Sequence, residues 1–480
     1  MGSRVKGSMI FRTGLILAML LILVFPSSGV QIDQEWSRTF GGHYGDGAWS
    51  VQATEDGGYV LAGYTSSRGE GSDLWLVKTD SYGNEIWDRT FGGSGEDVGT
   101  YVLATEDGGY IVVGSTKSFG MGEERLWLLK TDSNGSLEWD RTFGGFVSSS
   151  GDGGWSVCET GDAGYIVTGY TKSSGAGGKD LWIIKTDGNG NQAWERTYGG
   201  PKDDVGMSVI RADDGYVLAG RTASFGSGED DIWLLRVGPD GSELWNATYG
   251  GKLDETAFQV IARPDGYVLV GRTESDSGKR ATLIKTDLFG RRLWEKAYEE
   301  GSTGISLQQT EDGGFVIGGH IESKGAGRDA LLIKTDSSGV ETWALRLGGP
   351  GDDTGTAIVK NVGGFVLAGI TSSVGAGAED AWLVRVSEHN DERDKAPVQQ
   401  NATTEKNESN GNFSVKKTPN DLADQGLDAS GSLVAGDSVF VRAPDNLAGG
   451  SGEDQSLRGS PSQRLMDIEN IFKQRQRAST

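Results

Sequence analysis

The chain has 480 residues, 78 of them Gly, and 45 Lys+Arg against 68 Asp+Glu leave a net charge of −23. One Cys and three His exclude a disulfide framework and any zinc centre built on Cys/His clusters. The acidic balance excludes nucleic acid as a partner, because phosphate contacts need a basic stripe.

In chain order, residues 1–29 read as a secretory signal peptide. Arg4, Lys6 and Arg12 precede an apolar run from Gly14 to Phe25, and Pro26-Ser27-Ser28-Gly29 follows it. Such a leader places the protein outside the cell or at its surface. The alternative is an uncleaved signal anchor that holds the chain in the membrane. No other run reaches membrane length, so no integral span is expected in the mature chain. Cys158 then has no partner and reads as a small apolar filler.

Residues 30–387 are one unit written seven times. The aromatic of a Gly-aromatic step falls at Tyr59, Tyr110, Tyr165, Tyr216, Tyr267, Phe315 and Phe365, at spacings of 51, 55, 51, 51, 48 and 50. A second Trp series runs Trp36, Trp87, Trp139, Trp194, Trp245, Trp294 and Trp343. A third marker is the run typified by Trp75-Leu76-Val77-Lys78. Each copy reads as four short strands divided by Asp-Gly and Gly-Asn turns, where Gly supplies positive φ. No segment shows a sustained helical period. The fold class is therefore all-β: a seven-bladed β-propeller of about 50-residue, four-stranded repeats. The region opens on a lone fourth strand, Glu35 to Phe40, and closes on a lone third strand, Asp380 to Val386. The N-terminal strand thus completes the last blade and closes the ring, which removes the last open edge.

The repeated aromatics and the turn Asp residues have structural duties: packing between blades and turn chemistry. One acidic set invites a second reading. Asp46, Asp97, Asp152, Asp204, Glu255 and Asp353 sit where one blade hands over to the next, with Ser302 in the sixth copy. Asp73, Asp180, Asp231, Asp329 and Asp380 end the loops between second and third strands. Propeller geometry puts both sets on one face, as two acidic rings. They could hold Ca²⁺ or grip a cationic or hydroxyl-rich ligand, or each carboxylate could cap its own backbone turn.

Catalytic raw material is thin. The loops between second and third strands are short and similar in length in all copies, and His43 and His320 occupy unrelated slots of the ring, so no Ser-His-Asp arrangement is in view. Close pairs such as Asp203-Asp204 and Asp352-Asp353 leave glycan hydrolysis or elimination as an alternative.

The run Asp132-Ser133-Asn134-Gly135-Ser136-Leu137-Glu138-Trp139 recurs as Asp187…Gly190…Trp194 and Asp287…Gly290…Trp294. It resembles the repeat of quinoprotein-like propellers, and the resemblance implies that the Trp docks one blade on the next. The spacing is one residue shorter here, and the adjacent-cysteine feature has no counterpart, so the quinone cofactor is not carried over, and a quinone-dependent oxidoreductase is left as a second alternative. The repeat as a whole resembles uncharacterised secreted propeller-repeat proteins of prokaryotes, of the archaeal cell-surface type.

Residues 388–480 lose the repeat and nearly all aromatics. This is the composition of a disordered polar tail, with one candidate short helix over 462–477. Glycosylation acceptors fall at Asn401, Asn407 and Asn412, with two more at Asn134 and Asn246. The expected function is a non-catalytic extracellular or cell-surface binding and scaffolding propeller, monomeric, engaging an extracellular protein or a glycan.

Overall fold

The computed structural model describes residues 30–120, 123–145, 151–323 and 327–390. The signal segment, the tail, its helix and Asn401, Asn407 and Asn412 lie outside the described residues. The described chain is all-β: seven four-stranded antiparallel sheets form a propeller. Blades 1 to 6 are consecutive, from Asp46–Ala53, Tyr59–Thr65, Asp73–Thr79 and Glu85–Phe91 in blade 1 to Glu341–Leu347 at the end of blade 6. Blade 7 takes Asp353–Asn361, Gly364–Thr371 and Asp380–Asn390 from the end of the chain, and Val30–Phe40 from its start as the outer strand. That pairing runs from Phe40 opposite Ala381 to Val30 opposite Asn390. The closing strand therefore passes the 387 boundary read from the repeats by three residues. It carries His389 into the ring.

The second and third strands of a blade are covered on both faces, and they read as continuous apolar runs, as buried strands must. Tyr59–Thr65 and Asp73–Thr79 are buried at every position. Alternation sends successive side chains to opposite neighbours. Leu61 packs towards blade 7, with Val366 and Leu383, and Val60 packs towards blade 2, with Val112 and Trp127. Seven apolar clusters result, one at each blade–blade seam. Cys158 is half-buried at the seam of blades 3 and 4, beside Trp194. Burial pushes its thiol up to about 12, so it behaves as an apolar filler.

Each seam is docked by the outer-strand Trp. Trp87 of blade 1 meets Tyr110 of blade 2 with ring centres 5.9 Å apart, and Trp36 meets Tyr59 across the closure at 6.2 Å. The turn between third and fourth strands of the next blade then lies on that Trp. Asp132 Oδ1 accepts from the N–H groups of Asn134 and Ser136, both at 2.8 Å. This draws Gly135 into φ +75° against the Trp87 ring. The Asp-x-x-Gly signature is thus both a turn and a blade contact.

On the same face, the buried third-strand Lys reaches the Asp of the first turn. Lys78–Asp56, Lys130–Asp107, Lys185–Asp162, Lys285–Asp265 and Lys334–Asp312 close at 2.7, 2.8, 2.9, 2.6 and 2.5 Å. At Asp56, burial alone would raise the pKa, but the Lys78 ammonium and the Thr54 hydroxyl outweigh it and hold the carboxyl at about 2.

Candidate functional site

The opposite face carries the blade handovers. Asp46 pairs across its sheet with Thr65, and Thr65 with Asp73, so both acidic sets lie in rows along this one edge. Asp46, Asp97, Asp152, Asp204 and Asp353 are fully buried there, and Glu255 nearly so. Each is held by its own blade. Thr65 Oγ1 and Ser67 Oγ donate to the Asp46 carboxylate at 2.5 and 2.6 Å, and the Gly42 N–H donates at 2.8 Å. Asp204 accepts from Thr222, from Ser224 at 2.6 Å and from the Gly200 N–H at 2.8 Å. Asp97, Asp152 and Asp353 repeat the pattern with Ser118, Ser173 and Ser373. Glu255, one carbon longer, keeps the Gly251 N–H at 2.9 Å. In blade 6, Ser302 Oγ instead accepts from the Ala281 N–H.

The second set lies beside the first. Asp180 accepts from the Ala176 N–H, Asp231 from Ser227 and Asp380 from Ala376, at 2.9, 2.8 and 2.9 Å. Asp73 is buried likewise, and Asp329 is half-buried. Burial first, and then the neighbouring Asp97, pushes Asp73 up to about 6, and burial pushes Asp180 to about 6 and Glu255 to about 7. Among the described residues, no group of three or more His, Cys, Asp or Glu side chains has metal-holding spacing. No described helix is long and apolar enough to cross a membrane. Asn134 and Asn246 are exposed, in a turn and on an outer strand.

One residue along the second strand from this edge, the repeat stops being a repeat. That slot holds Tyr64, Ser115, Tyr170, Arg221, Arg272, His320 and Ile370 in blades 1 to 7. Tyr64 donates to Glu379 at 3.0 Å across the ring closure, and Tyr170 to Glu124 at 3.4 Å. Lys179 lies 3.9 Å over the Tyr170 ring, and burial, with Arg221 second, lowers its pKa to about 8. Arg221 and Asp230 form a buried ion pair at 2.7 Å. Asp254 is pushed up to about 6 by burial and then by Asp230, against the pull of Arg272. In that slot, then, blades 4 to 6 carry Arg221, Arg272 and His320, and the other blades carry Tyr, Ser or Ile.

Arg272 and His320 reach the wall of a central cavity of about 160 Å³. The rest of the wall comes from the innermost strands. In every blade that strand carries a β-bulge, between Ala48 and Ser50 in blade 1 and at the matching step elsewhere. The extra residue leaves the ladder and lines the channel, as bulges re-aim side chains. These residues are Trp49, Thr100, Trp155, Met207, Phe258, Ile305 and Thr356.

The residue after the bulge stitches the ring. An innermost strand has no inner neighbour, so a buried backbone group facing the next blade needs a side-chain partner. Ser50 Oγ accepts from the Val102 N–H at 3.2 Å, and Ser156, Ser208 and Ser306 serve Val209, Val260 and Ile358. Gln259 Oε1 accepts from Leu307 at 2.6 Å. Blades 2 and 7 carry Tyr101 and Ala357 in that slot. There the bulge residue is Thr and does the stitching: Thr100 donates to the Gly154 carbonyl at 2.7 Å and Thr356 to Ala48 at 2.8 Å.

No protein-family model matches this sequence, and no curated protein matches it. Solved structures match in fold. A protein of unknown function from Dyadobacter fermentans aligns at 12% identity and TM-score 0.43, over 75% of this chain and 100% of its own. The Chaetomium thermophilum Sqt1 protein, bound to the N-terminus of ribosomal protein L10, aligns at 13% and 0.43, over 75% and 100%. The Neurospora crassa Pan2 WD40 domain aligns at 10% and 0.42, over 71% and 89%. These likenesses concern the fold alone.

The channel residues lie outside the acidic sets expected from the sequence, which recur from copy to copy. The signal that finds them is the reverse: slots that vary while their neighbours repeat, at the bulge and at the step before Thr65, Thr222 or Thr371.

Proposed function

We propose that this protein is a non-catalytic extracellular binding and scaffolding propeller that takes its ligand at the mouth of the central channel, on the handover face. The observation that carries the reading is the broken symmetry there. Blades that agree at turn, seam and ring carboxylate differ at both slots facing the channel. Structure alone explains a repeated residue, and a ring of Tyr, Ser, Arg, His and Ile in one slot has no such explanation. Of the two ligand classes expected outside the cell, protein or glycan, the concave channel, walled by aromatic side chains with a few polar groups, favours a glycan. The ring carboxylates do not favour hydrolysis, because their oxygens are committed to blade hydroxyls and N–H groups.

The test is a printed glycan array probed with the full chain and with Ile305→Trp. Blades 1 and 3 already hold Trp in that slot, so the variant fills the channel in a sequence context the repeat accepts. Retention of a glycan by the wild type and its loss in the variant is the expected result. An array that retains nothing, equal retention by both proteins, or shortening of the retained glycan would each overturn the reading.

A further inference from the structure

The channel mouth and the channel wall differ in chemistry. The mouth carries hydroxyl and charged groups, among them Tyr64, Lys179 and Arg221. The wall has polar residues too, but most of their polar atoms are already taken. Ser50, Ser156, Ser208 and Ser306 hold N–H groups of the next blade, and Thr100 and Thr356 hold its carbonyls. Gln259 accepts from the Leu307 N–H, and Gln52 donates to the Tyr101 hydroxyl at 3.4 Å. Arg272 and His320 are 0% and 2% exposed, and neither is without a partner. Trp49 and Trp155 line the channel with their indole N–H groups buried, so each presents carbon to the open space.

The side chains left facing that space are the ones the bulges release: Trp49, Trp155, Met207, Phe258 and Ile305. They belong to blades 1, 3, 4, 5 and 6, so apolar surface borders the cavity on most of its circumference. Water filling such a space needs about 2–4 polar partners per molecule, and few are on offer. An ion needs a partner charge to repay its desolvation, and Arg272 is already engaged. A neutral apolar occupant meets neither cost. Volume sets its size: an apolar cavity of roughly 150 Å³ takes one benzene-sized molecule, and this one holds about 160 Å³. Shape follows from the wall. Trp49, Trp155 and Phe258 offer planar rings, and aromatic rings pair with one another at centroid distances of about 4.5–7 Å.

We propose that the central channel is a binding site for one neutral, benzene-sized aromatic ring, held by Trp49, Trp155, Met207, Phe258 and Ile305. This goes beyond the channel-mouth reading, because a glycan at the mouth and a ring in the channel are separate ligands. Two sources share the chemistry: a free small aromatic compound and the benzyl side chain of a phenylalanine.

The experiment is saturation-transfer NMR on the full chain. The probes are toluene, cyclohexane, naphthalene and N-acetylphenylalanine amide. Toluene should bind saturably, and naphthalene, with its second fused ring, should not bind. Ile305→Trp fills the channel and should abolish toluene binding, with circular dichroism checking that β-structure is retained. Phe258→Ile gives blade 5 the residue that blade 6 holds in the same slot, so the repeat accepts it. It should weaken toluene binding by roughly two- to tenfold, the worth of one aromatic contact. Toluene that does not bind, or that binds the wild type and both variants equally, would overturn the proposal. Cyclohexane held as tightly as toluene would overturn its aromatic part. Competition between N-acetylphenylalanine amide and toluene assigns the ring to a side chain, and absence of competition assigns it to a free compound. Toluene binding beside a silent glycan array leaves this site standing and removes the mouth reading. Array retention without toluene binding removes only this site.

Discussion

Replacing Gly135 by Ala should destabilise the propeller far more than replacing Gly108 by Ala, although both lie in blade 2 and both have positive φ. The angles are +75° and +80°. Forcing an L-residue into this region costs roughly 1–2 kcal/mol at either site. The surroundings differ. A Cβ on Gly108 meets nothing within 4 Å, whereas one on Gly135 falls 2.7 and 2.8 Å from two carbons of the Trp87 ring and 2.9 Å from Arg89 Cγ. The Trp cannot retreat, because its other side packs on Tyr110 and the Arg89 guanidinium lies 5.2 Å over its ring. Overpacking of this kind adds about 1–3 kcal/mol. The expected costs are therefore about 1–2 kcal/mol for Gly108→Ala and about 2–5 kcal/mol for Gly135→Ala. Urea denaturation followed by tryptophan fluorescence and by far-ultraviolet circular dichroism gives both numbers. In a Trp87→Leu background the excess cost at Gly135 should vanish, because the two residues are coupled. Equal costs at the two glycines, or an excess that survives Trp87→Leu, would refute the claim that this turn docks one blade on the next.

The stitches and the carboxylates give further outcomes. Ser50→Ala orphans the buried Val102 N–H and Thr356→Val the Ala48 carbonyl partner, so each should lower stability by about 1–3 kcal/mol, read from the shift in urea midpoint. Asp56, Asp107, Asp162 and Asp312 sit at about 2, below the ordinary 3.8. Their contribution is present above about pH 4 and is lost as pH falls towards 2. Asp73, Asp180 and Asp254 sit at about 6 and Glu255 at about 7, above their ordinary values. Their contribution is complete below about pH 4 and is lost as pH rises through 6 to 7. The melting midpoint should therefore peak near pH 4 and fall as pH rises to about 7, with Glu255→Gln flattening that fall; a midpoint still rising at pH 8 would refute this assignment. Millimolar Ca²⁺ should leave the midpoint where it is, because the ring carboxylates are held by their own blades. A clear rise would show that a metal competes for them.

The sequence carries most of the fold for a physical reason. A blade cannot bury its own two faces, so each copy must present the same apolar runs, turn glycines and docking Trp, and repetition makes them legible. The outer strand supplied by the N-terminus follows from counting the incomplete units at each end. Other features escaped because their partners are far apart in sequence. Lys78 meets Asp56 only when third strand and first turn are folded together, 22 residues apart. The innermost strand starts at Asp46, before the apolar residues that mark it, because its first residue is a buried carboxylate held by hydroxyl groups. Alternation along that strand misleads as well. The bulge inserts one residue, so the side chain expected to face a neighbouring blade faces the channel instead.

The two channel-facing slots constrain each other, and this decides which of them is available for recognition. A backbone group on each innermost strand needs a partner from the blade before it. Where Ser or Gln follows the bulge, that residue meets the need and the bulge residue has no hydrogen-bonding duty. Where Tyr101 or Ala357 follows, the bulge residue is Thr and takes the duty itself. Five bulge positions are therefore released from the wall, and they hold Trp49, Trp155, Met207, Phe258 and Ile305. A merely packed channel would be best served by side chains without donors, as at Met207, Phe258 and Ile305, because an unpaired buried N–H is destabilising. Two of the five nonetheless carry an indole. The duty-bound blades, 2 and 7, hold only Thr. The five positions without that duty are thus the ones whose side chains vary from blade to blade, and they set the shape of the channel wall.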